Sequence, residues 1–549
     1  MRVLRTNAAD TLRVKAYAGD TGVLLAMDLA APRRAGLLGF AIEKRTKGFT
    51  AWRWLLSSLT FPGREHTLPQ WNATPSNLAP IQKFRWADYS VDSGVTYSYR
   101  VHVMRGTPEA PTLEESLTVE VTTDRGATAG QTVRFNRAVA ASQAFGRKFP
   151  DLDALLTTNK QLPIEKWPEA PRTWLQRGLL DVILTFIAAA KDSRWALDVA
   201  IYEYELAAIT GAVVAAHRRG VKVRVLYHAK TGDEQTLANE ASLKRIPKAK
   251  KRGRVTSRIF HDKFIVLSKV EANGGVTPMS VMCGSTNFTE NGVYRQANVV
   301  HVVDKPAVAS EYAALFTELW TTPDSTAATR TWINGNNPID PASGFFVGFS
   351  PRSGNGDLDE FARIIQAADR DVLFATAFAL YEPVLDALLG GAHDDVLRFG
   401  IQNTKSRITG YHADRTAEFT AVAMLNKGLE GWVKEGLRGQ RGNLSIHLKA
   451  VIVNFTSDDP TIISGSHNLS QSASNGNDEN FLIVRGDTNL ADRYGLEILR
   501  FYEHYRFRYY AKLLALKEVR PLAPDDSWTV PYYRAGNVKA LARERFAGR

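Results

Sequence analysis

Two histidines each stand two residues ahead of a lysine in similar company. The first run is His261-Asp-Lys263-Phe-Ile-Val-Leu and the second is His447-Leu-Lys449-Ala-Val-Ile-Val. Each is followed by a Gly-Ser-x-Asn turn, Gly284-Ser285-Thr-Asn287 in the first copy and Gly465-Ser466-His-Asn468 in the second. Residues two apart in a strand share a face, so each histidine projects beside its lysine. These types suit cleavage of a phosphodiester. A neutral imidazole can attack phosphorus and hold it covalently, and a protonated one can return a proton to the leaving oxygen. Lysines neutralise the non-bridging oxygens as charge shifts, and asparagine amides supply further donors. The lysines already provide positive charge, so no metal and no cofactor is expected.

These residues need strands to hold them. Trp195-Ala-Leu-Asp-Val-Ala-Ile-Tyr reads as a buried strand, Glu205 to Arg219 as an amphipathic helix, and Gly220-Val-Lys-Val-Arg-Val-Leu-Tyr as the next strand. That order is a βαβ unit and predicts a mostly parallel sheet. It returns in Asp371-Val-Leu-Phe-Ala-Thr-Ala-Phe, the short helix Glu382 to Gly390, and Val396-Leu-Arg-Phe-Gly-Ile-Gln. The chain is therefore expected to hold two similar α/β halves, 131–330 and 340–515, related by a pseudo-twofold axis. A turn-rich junction lies at Asn334 to Pro341, and a carboxyl-terminal extension covers 516–549. Residues 1–125 read as a small all-β sandwich: Leu38 to Lys44, Thr96 to Met104 and Leu117 to Thr123 place apolar residues at period two. Asp124 to Gly130 is small and polar and marks the boundary. The aromatic segment Phe49 to Phe61 carries Trp52 and Trp54, either as a contact loop or as packing.

Composition narrows the function. The chain has 549 residues, room for several cores without staples. One cysteine, Cys283, excludes a disulfide framework and a Cys-rich zinc site. With no apolar stretch long enough to span a bilayer and no secretory h-region, a cytoplasmic protein is expected. Sixty-nine basic residues against 57 acidic give a net charge of +12, a surface suited to polyanions or simply to solubility.

The paired HxK motifs, each with its Gly-Ser-x-Asn, resemble the phospholipase D superfamily, whose signature is HxKxxxxD followed by GSxN. Gly284-Ser285-Thr-Asn287-Phe-Thr is similar to the nuclease-like members. The resemblance runs from the linker to the carboxyl helices. It departs at the signature aspartate, which is Ser268 in the first copy and Asn454 in the second, and this leaves a degenerate, non-catalytic phosphate-binding module as one reading. Asn298 and Glu479 stand at equal distances beyond Gly284 and Gly465. The resemblance implies that each holds the back nitrogen of the other half's histidine, Glu479 on His261 and Asn298 on His447. It thereby implies that His261 attacks and His447 acts as general acid. Within the sandwich, Asp88 to Val101 resembles the late strands of fibronectin type III domains.

The resemblance implies a phosphodiester substrate and leaves its class open. For nucleic acid speaks the basic run Lys244, Arg245, Lys248, Lys250, Lys251, Arg252, Arg254 and Arg258, directly ahead of His261 and so expected at the cleft mouth. Lys250, Lys251, Arg252 and Arg254 are candidate substrate contacts, with Ser285 and Ser466. The late helix interleaves Arg500, Tyr502, His504, Tyr505, Arg506 and Arg508, which suits base stacking or a half-buried face. The alternative is a phospholipase D or phosphatidyltransferase on anionic lipid, with Trp52 and Trp54 at an interface. One chain holds both motifs, so catalysis needs no dimer, and the oligomeric state is left open.

Overall fold

The computed structural model describes residues 1–64, 73–128, 130–137, 143–159, 162–390, 395–403, 417–421, 446–513 and 521–549. Two mixed α/β halves follow an all-β amino-terminal sandwich. In the sandwich, one four-stranded sheet holds Arg2–Thr6, Leu12–Ala18, Val23–Leu29 and Arg85–Asp88, and the other holds Pro111–Thr122, Thr96–Gly106, Gly39–Thr46 and Arg53–Trp54. Leu12, Val14, Phe40, Ile42, Tyr99 and Val101 fill the space between them. The aromatic segment after Phe49 serves packing in part: Trp52 stacks under the guanidinium groups of Arg45 and Arg100.

The first half is built on an eight-stranded sheet. From edge to edge it runs Ala127–Thr128, Gln131–Phe135, Val299–Val303, Val276–Gly284, Lys263–Val270, Trp195–Ile201, Lys222–His228 and Lys251–Arg254. The second half has seven strands: Phe345–Ser350, Glu479–Arg485, Thr461–Gly465, Ala450–Val453, Asp371–Thr376, Leu397–Gln402 and Ala417–Ala421. Apart from the short Ala127–Thr128 strand, the two orders match one for one.

Neither sheet is mostly parallel, which corrects the expectation from the βαβ pattern. Parallel pairing is confined to the strands around the crossover helices. The strand after each HxK motif runs antiparallel to its central neighbour and to the strand that ends in Gly-Ser. The stretch between Lys263–Val270 and Val276–Gly284 is too short for a crossover, and a short link between neighbouring strands forces a hairpin. The turn-rich junction is also partly helical, since Thr326–Asn336 is a helix with Ser325 as its cap.

The largest apolar core is shared by the two halves and the sandwich. It runs from Val133 and Phe135 through Phe264, Tyr312 and Phe316 to Ala450, Ile452, Tyr494 and Tyr502, and it takes in Tyr17, Leu24 and Ala26 of the sandwich. Among the described residues, no helix is long and apolar enough to cross a membrane.

Candidate active site

The two halves meet where their histidine strands begin. Phe260 bridges to Asp478, and Ala297 bridges to Ile446. The His261 amide donates to the Asp478 carbonyl at 2.9 Å, and the His447 amide donates to the Ala297 carbonyl at 3.1 Å. Each histidine is therefore fixed by the backbone of the opposite half. The imidazole rings lie 6.3 Å apart, centroid to centroid, at 72°. Both are almost fully buried, as are Lys263 and Lys449.

The back nitrogens are held across the same seam. His261 Nδ1 lies 2.6 Å from Glu479 Oε2, and His447 Nδ1 lies 2.9 Å from Asn298 Oδ1. The orienting groups are themselves fixed. Glu479 also accepts from Ser466 Oγ at 2.8 Å and from Asn477 Nδ2 at 3.0 Å. Asn298 Oδ1 accepts from Ser285 Oγ at 2.8 Å, while its amide nitrogen donates to the Gly292 carbonyl at 2.9 Å. This fixes the amide's orientation, so His447 donates from Nδ1. In the coupled first pair, Glu479 carries the charge and His261 the Nδ1 proton. In both rings it is Nδ1 that meets the support from the opposite half.

Ser285 and Ser466 are fully buried, and their hydroxyls are taken up by Asn298 and Glu479. The expectation places these hydroxyls on substrate; the structure turns both of them to the groups behind the histidines. The glycines before them are needed for the same approach. Gly284 and Gly465 sit at φ +141° and +151°, where a Cβ would come within 2.3 Å of the Val299 carbonyl and 2.4 Å of the Asn480 carbonyl. Asn287 Nδ2 donates to Glu203 Oε2 at 2.6 Å. Asn468 is half-buried, and its Oδ1 has no hydrogen-bond partner among the described residues.

Electrostatics follow from burial. Each ammonium donates to the carbonyl of its own motif's histidine, Lys263 at 2.7 Å and Lys449 at 2.8 Å. Burial lowers Lys263 to about 8, against the pull of Glu479 and Glu203. Lys449 falls well below the usual lysine range through burial and the charge on Lys263. Burial brings His261 down to about 4, Glu479 opposing. His447 falls well below 6.5 through burial, then through Lys449, Lys263 and His261. Burial works against ionisation of Glu479, but His261 and its hydrogen bond outweigh it and hold the carboxyl below its usual range.

The basic run is placed differently from the expectation. Arg254 is fully buried and forms a bidentate pair with Asp478 at 2.9 and 3.0 Å, with further bonds to the Thr322 carbonyl and Thr329. Its guanidinium is taken up by that carboxylate, which a buried cation needs, and is turned away from solvent. Lys251 donates to the Leu243 carbonyl at 2.7 Å. Arg252 is exposed and stacks on Trp320, whose carbonyl it also binds. Lys250 lines a shallow cleft of about 250 Å³ with Asp198, Lys222 and Arg224, toward the far end of the Trp195–Ile201 strand. The Lys251–Arg254 strand is separated from the His261 strand by two others. On the late helix Tyr502 and Tyr505 are buried and Arg500 pairs with Glu497, which is the half-buried face; the Arg508 side chain lies outside the described residues. The missing signature aspartates leave Ser268 buried on its strand and Asn454 accepting the amides of Asp369 and Arg370, away from the histidines.

Three residues at the site were not singled out from the sequence. The Tyr202 ring lies 5.4 Å from that of His261 and is covered by Lys263. Glu203 binds Asn287, and Phe378, 40% exposed, sits edge-on to His447. All follow the carboxyl end of a central strand, the usual ligand side of an α/β sheet, and that position was their only signal.

Residues 183–320 match the family model described as "Cardiolipin synthase, PLD-like domain". Over that stretch the chain carries a PLD-like domain, which supports a phosphodiester-acting role. Among solved structures, it is similar to polyphosphate kinase from Porphyromonas gingivalis, at 13% identity and a TM-score of 0.40, over 59% of this chain and 48% of the kinase, under half of that protein's length. It is also similar to Nuc, a phospholipase D family member from Salmonella typhimurium, at 24% identity and a TM-score of 0.22, over 26% of this chain and 86% of Nuc. Phosphatidylserine synthase from Haemophilus influenzae is similar at 11% identity and a TM-score of 0.43, over 60% of this chain and 85% of the synthase. No curated protein matches the chain.

Proposed function

We propose that this chain is a phosphodiesterase that works through a covalent phosphohistidine on His261, with His447 as general acid, and that its substrate is a nucleic-acid backbone. The observation that carries the reading is the facing histidine pair with unlike supports, a carboxylate behind His261 and an amide behind His447. A carboxylate fixes the Nδ1–H tautomer and strengthens Nε2 as nucleophile. In the first step His261 Nε2 forms a bond to phosphorus as the bond to the leaving oxygen breaks, and His447 gives that oxygen its proton. In the second, water attacks phosphorus, its proton passes to His447, and the P–N bond breaks. Lys263 and Lys449, with the amides of Asn287 and Asn468, stabilise the non-bridging oxygens. The positive charge is supplied by side chains, so the reaction is expected to proceed in a chelator.

Nucleic acid is favoured by the net charge of +12 and by exposed Lys244, Arg245, Lys248, Lys250 and Arg258. The description of the matching family favours the second reading, a phosphatidyltransferase or phospholipase on lipid. In either case 131–330 and 340–515 are the catalytic halves and 1–125 is an accessory unit. The test is acid-quenched incubation with labelled single- and double-stranded DNA, RNA and phosphatidylcholine in a chelator, followed by mapping of the adduct. A phosphorylated His261 that accumulates in a His447→Asn variant is expected, with turnover of a nucleic acid. An adduct on His447 reverses the roles, and turnover of the lipid alone moves the function to the second reading.

A further inference from the structure

The pseudo-twofold repeats the histidines, the lysines and the Gly-Ser-x-Asn turns, but not the residue at the end of the central strand. Ile201 pairs with Lys263, and Ala375 pairs with Ala450, which brings Thr376 level with Lys449. Two residues beyond these, Glu203 and Phe378 occupy equivalent places. Glu203 is latched to the first Gly-Ser-x-Asn turn: its carbonyl accepts the Phe288 amide at 3.0 Å, and the Glu205 amide donates to the Phe288 carbonyl at 2.9 Å. Its carboxylate takes the Asn287 amide at 2.6 Å. Lys263 lies over the ring of the adjacent Tyr202, 5.4 Å from its centre, and the charges of Lys263 and Lys449 both act against the rise that burial gives the Glu203 pKa. Phe378 offers no matching charge.

We propose that Glu203 sets the charge of the phosphate pocket, so that the site takes a singly charged phosphodiester and refuses a doubly charged phosphomonoester. This rests on the phosphodiesterase reading above. Two lysines alone would match a dianion. Glu479, ionised beside a neutral His261, already offsets one lysine, and the Glu203 carboxylate offsets the other. The second negative charge of a monoester then meets a carboxylate instead of an ammonium. Hydrolysis of a diester yields a monoester, so the same repulsion speeds product release.

The test uses Glu203→Gln, which keeps a carbonyl acceptor for Asn287 and removes the charge, beside Glu203→Ala, which removes both. Inorganic phosphate is titrated calorimetrically at about pH 8, where it is a dianion, into the wild type and both variants. The kcat/KM values for bis(p-nitrophenyl) phosphate and p-nitrophenyl phosphate are measured on the same proteins. Glu203→Gln is expected to bind phosphate about tenfold tighter or more, and to lower the diester-to-monoester ratio by at least about tenfold. Equal phosphate affinity in wild type and Glu203→Gln, or binding by neither, overturns the proposal. So does an equal loss of diester cleavage in both variants with phosphate affinity unmoved, which would leave Glu203 only a support for Asn287. A wild type that cleaves no diester defeats the phosphodiesterase reading instead, and the phosphate titration still decides on Glu203.

Discussion

A carboxylate on one histidine and an amide on the other give the site a pH dependence that equal partners would not. Free of substrate, both imidazoles are neutral at pH 7, because burial brings His261 to about 4 and His447 well below 6.5. That suits the nucleophile proposed for His261 and not the acid proposed for His447. A bound diester monoanion offsets the two lysines and lifts His447 toward protonation. Since kcat/KM reports the free enzyme and kcat the complex, kcat/KM is expected to fall as pH rises from about 6 to 8, with the basic limb of kcat at higher pH. A kcat/KM that instead rises through that range would contradict this. Asn298→Asp places a carboxylate behind His447, favours the imidazolium, and should move the basic limb of kcat/KM up by about 1–2 pH units. Glu479→Gln removes the charge from the other side and is expected to slow phosphoenzyme formation by about a thousandfold or more, as in tautomer-orienting carboxylates elsewhere. Single-turnover quench measures that step directly. The facing histidines and their supports were legible in the sequence because the duplication repeats them at fixed spacing. Glu203 was not, since the other half carries Phe378 in its place and a solitary acid after a strand has no pattern.

At the scale of elements, the sequence marked where strands and crossover helices lie but not how the strands run. Period and burial are the same for a parallel and an antiparallel core strand, so only the short links after Lys263–Val270 and Ala450–Val453 betray the hairpins. The basic run misled for a related reason: composition does not say which charges find partners. Arg254 is the case that matters. It joins the edge strand of the first half to Asp478, whose carbonyl receives the His261 amide and whose neighbour is Glu479. Arg254→Met strands a buried carboxylate, which costs about 3–5 kcal/mol. Asp478→Asn in the same chain removes that charge and should recover part of the loss. Denaturant midpoints of the single and double variants check this. If Arg254→Met unfolds at the wild-type midpoint but weakens nucleic-acid binding, the arginine belongs to the substrate surface after all.

Over the whole molecule, the two chain ends are fastened to each other and to the second half. The Val23–Leu29 strand is buried on both faces. Val23, Leu25, Met27 and Leu29 face the sandwich core, while Leu24 and Ala26 join the core of the two halves. The carboxyl-terminal segment seals that arrangement. Trp528, Tyr532 and Tyr533 surround Phe84, the Tyr533 hydroxyl donates to the Leu29 carbonyl at 2.6 Å, and Arg543 and Arg549 both reach buried Asp28. None of this could be read from residues 516–549 alone, because every one of these partners lies in the first hundred residues. Ending the chain at residue 520 would strip Phe84 and leave Asp28 buried without its guanidinium partners. Each large aromatic so exposed is worth about 1.5–3 kcal/mol, and the stranded carboxylate adds to the loss. Hydrogen exchange in Val23–Leu29 and Arg85–Asp88 should accelerate strongly in the truncated protein and the thermal midpoint should fall, while the histidine pair, held by the seam between the halves, keeps its activity per folded molecule. Unchanged exchange in those two strands would mean that the segment is only an appendage. Acceleration reaching equally into Lys263–Val270 and Ala450–Val453 would mean that the sandwich, the halves and the terminal segment unfold as one unit through their shared core.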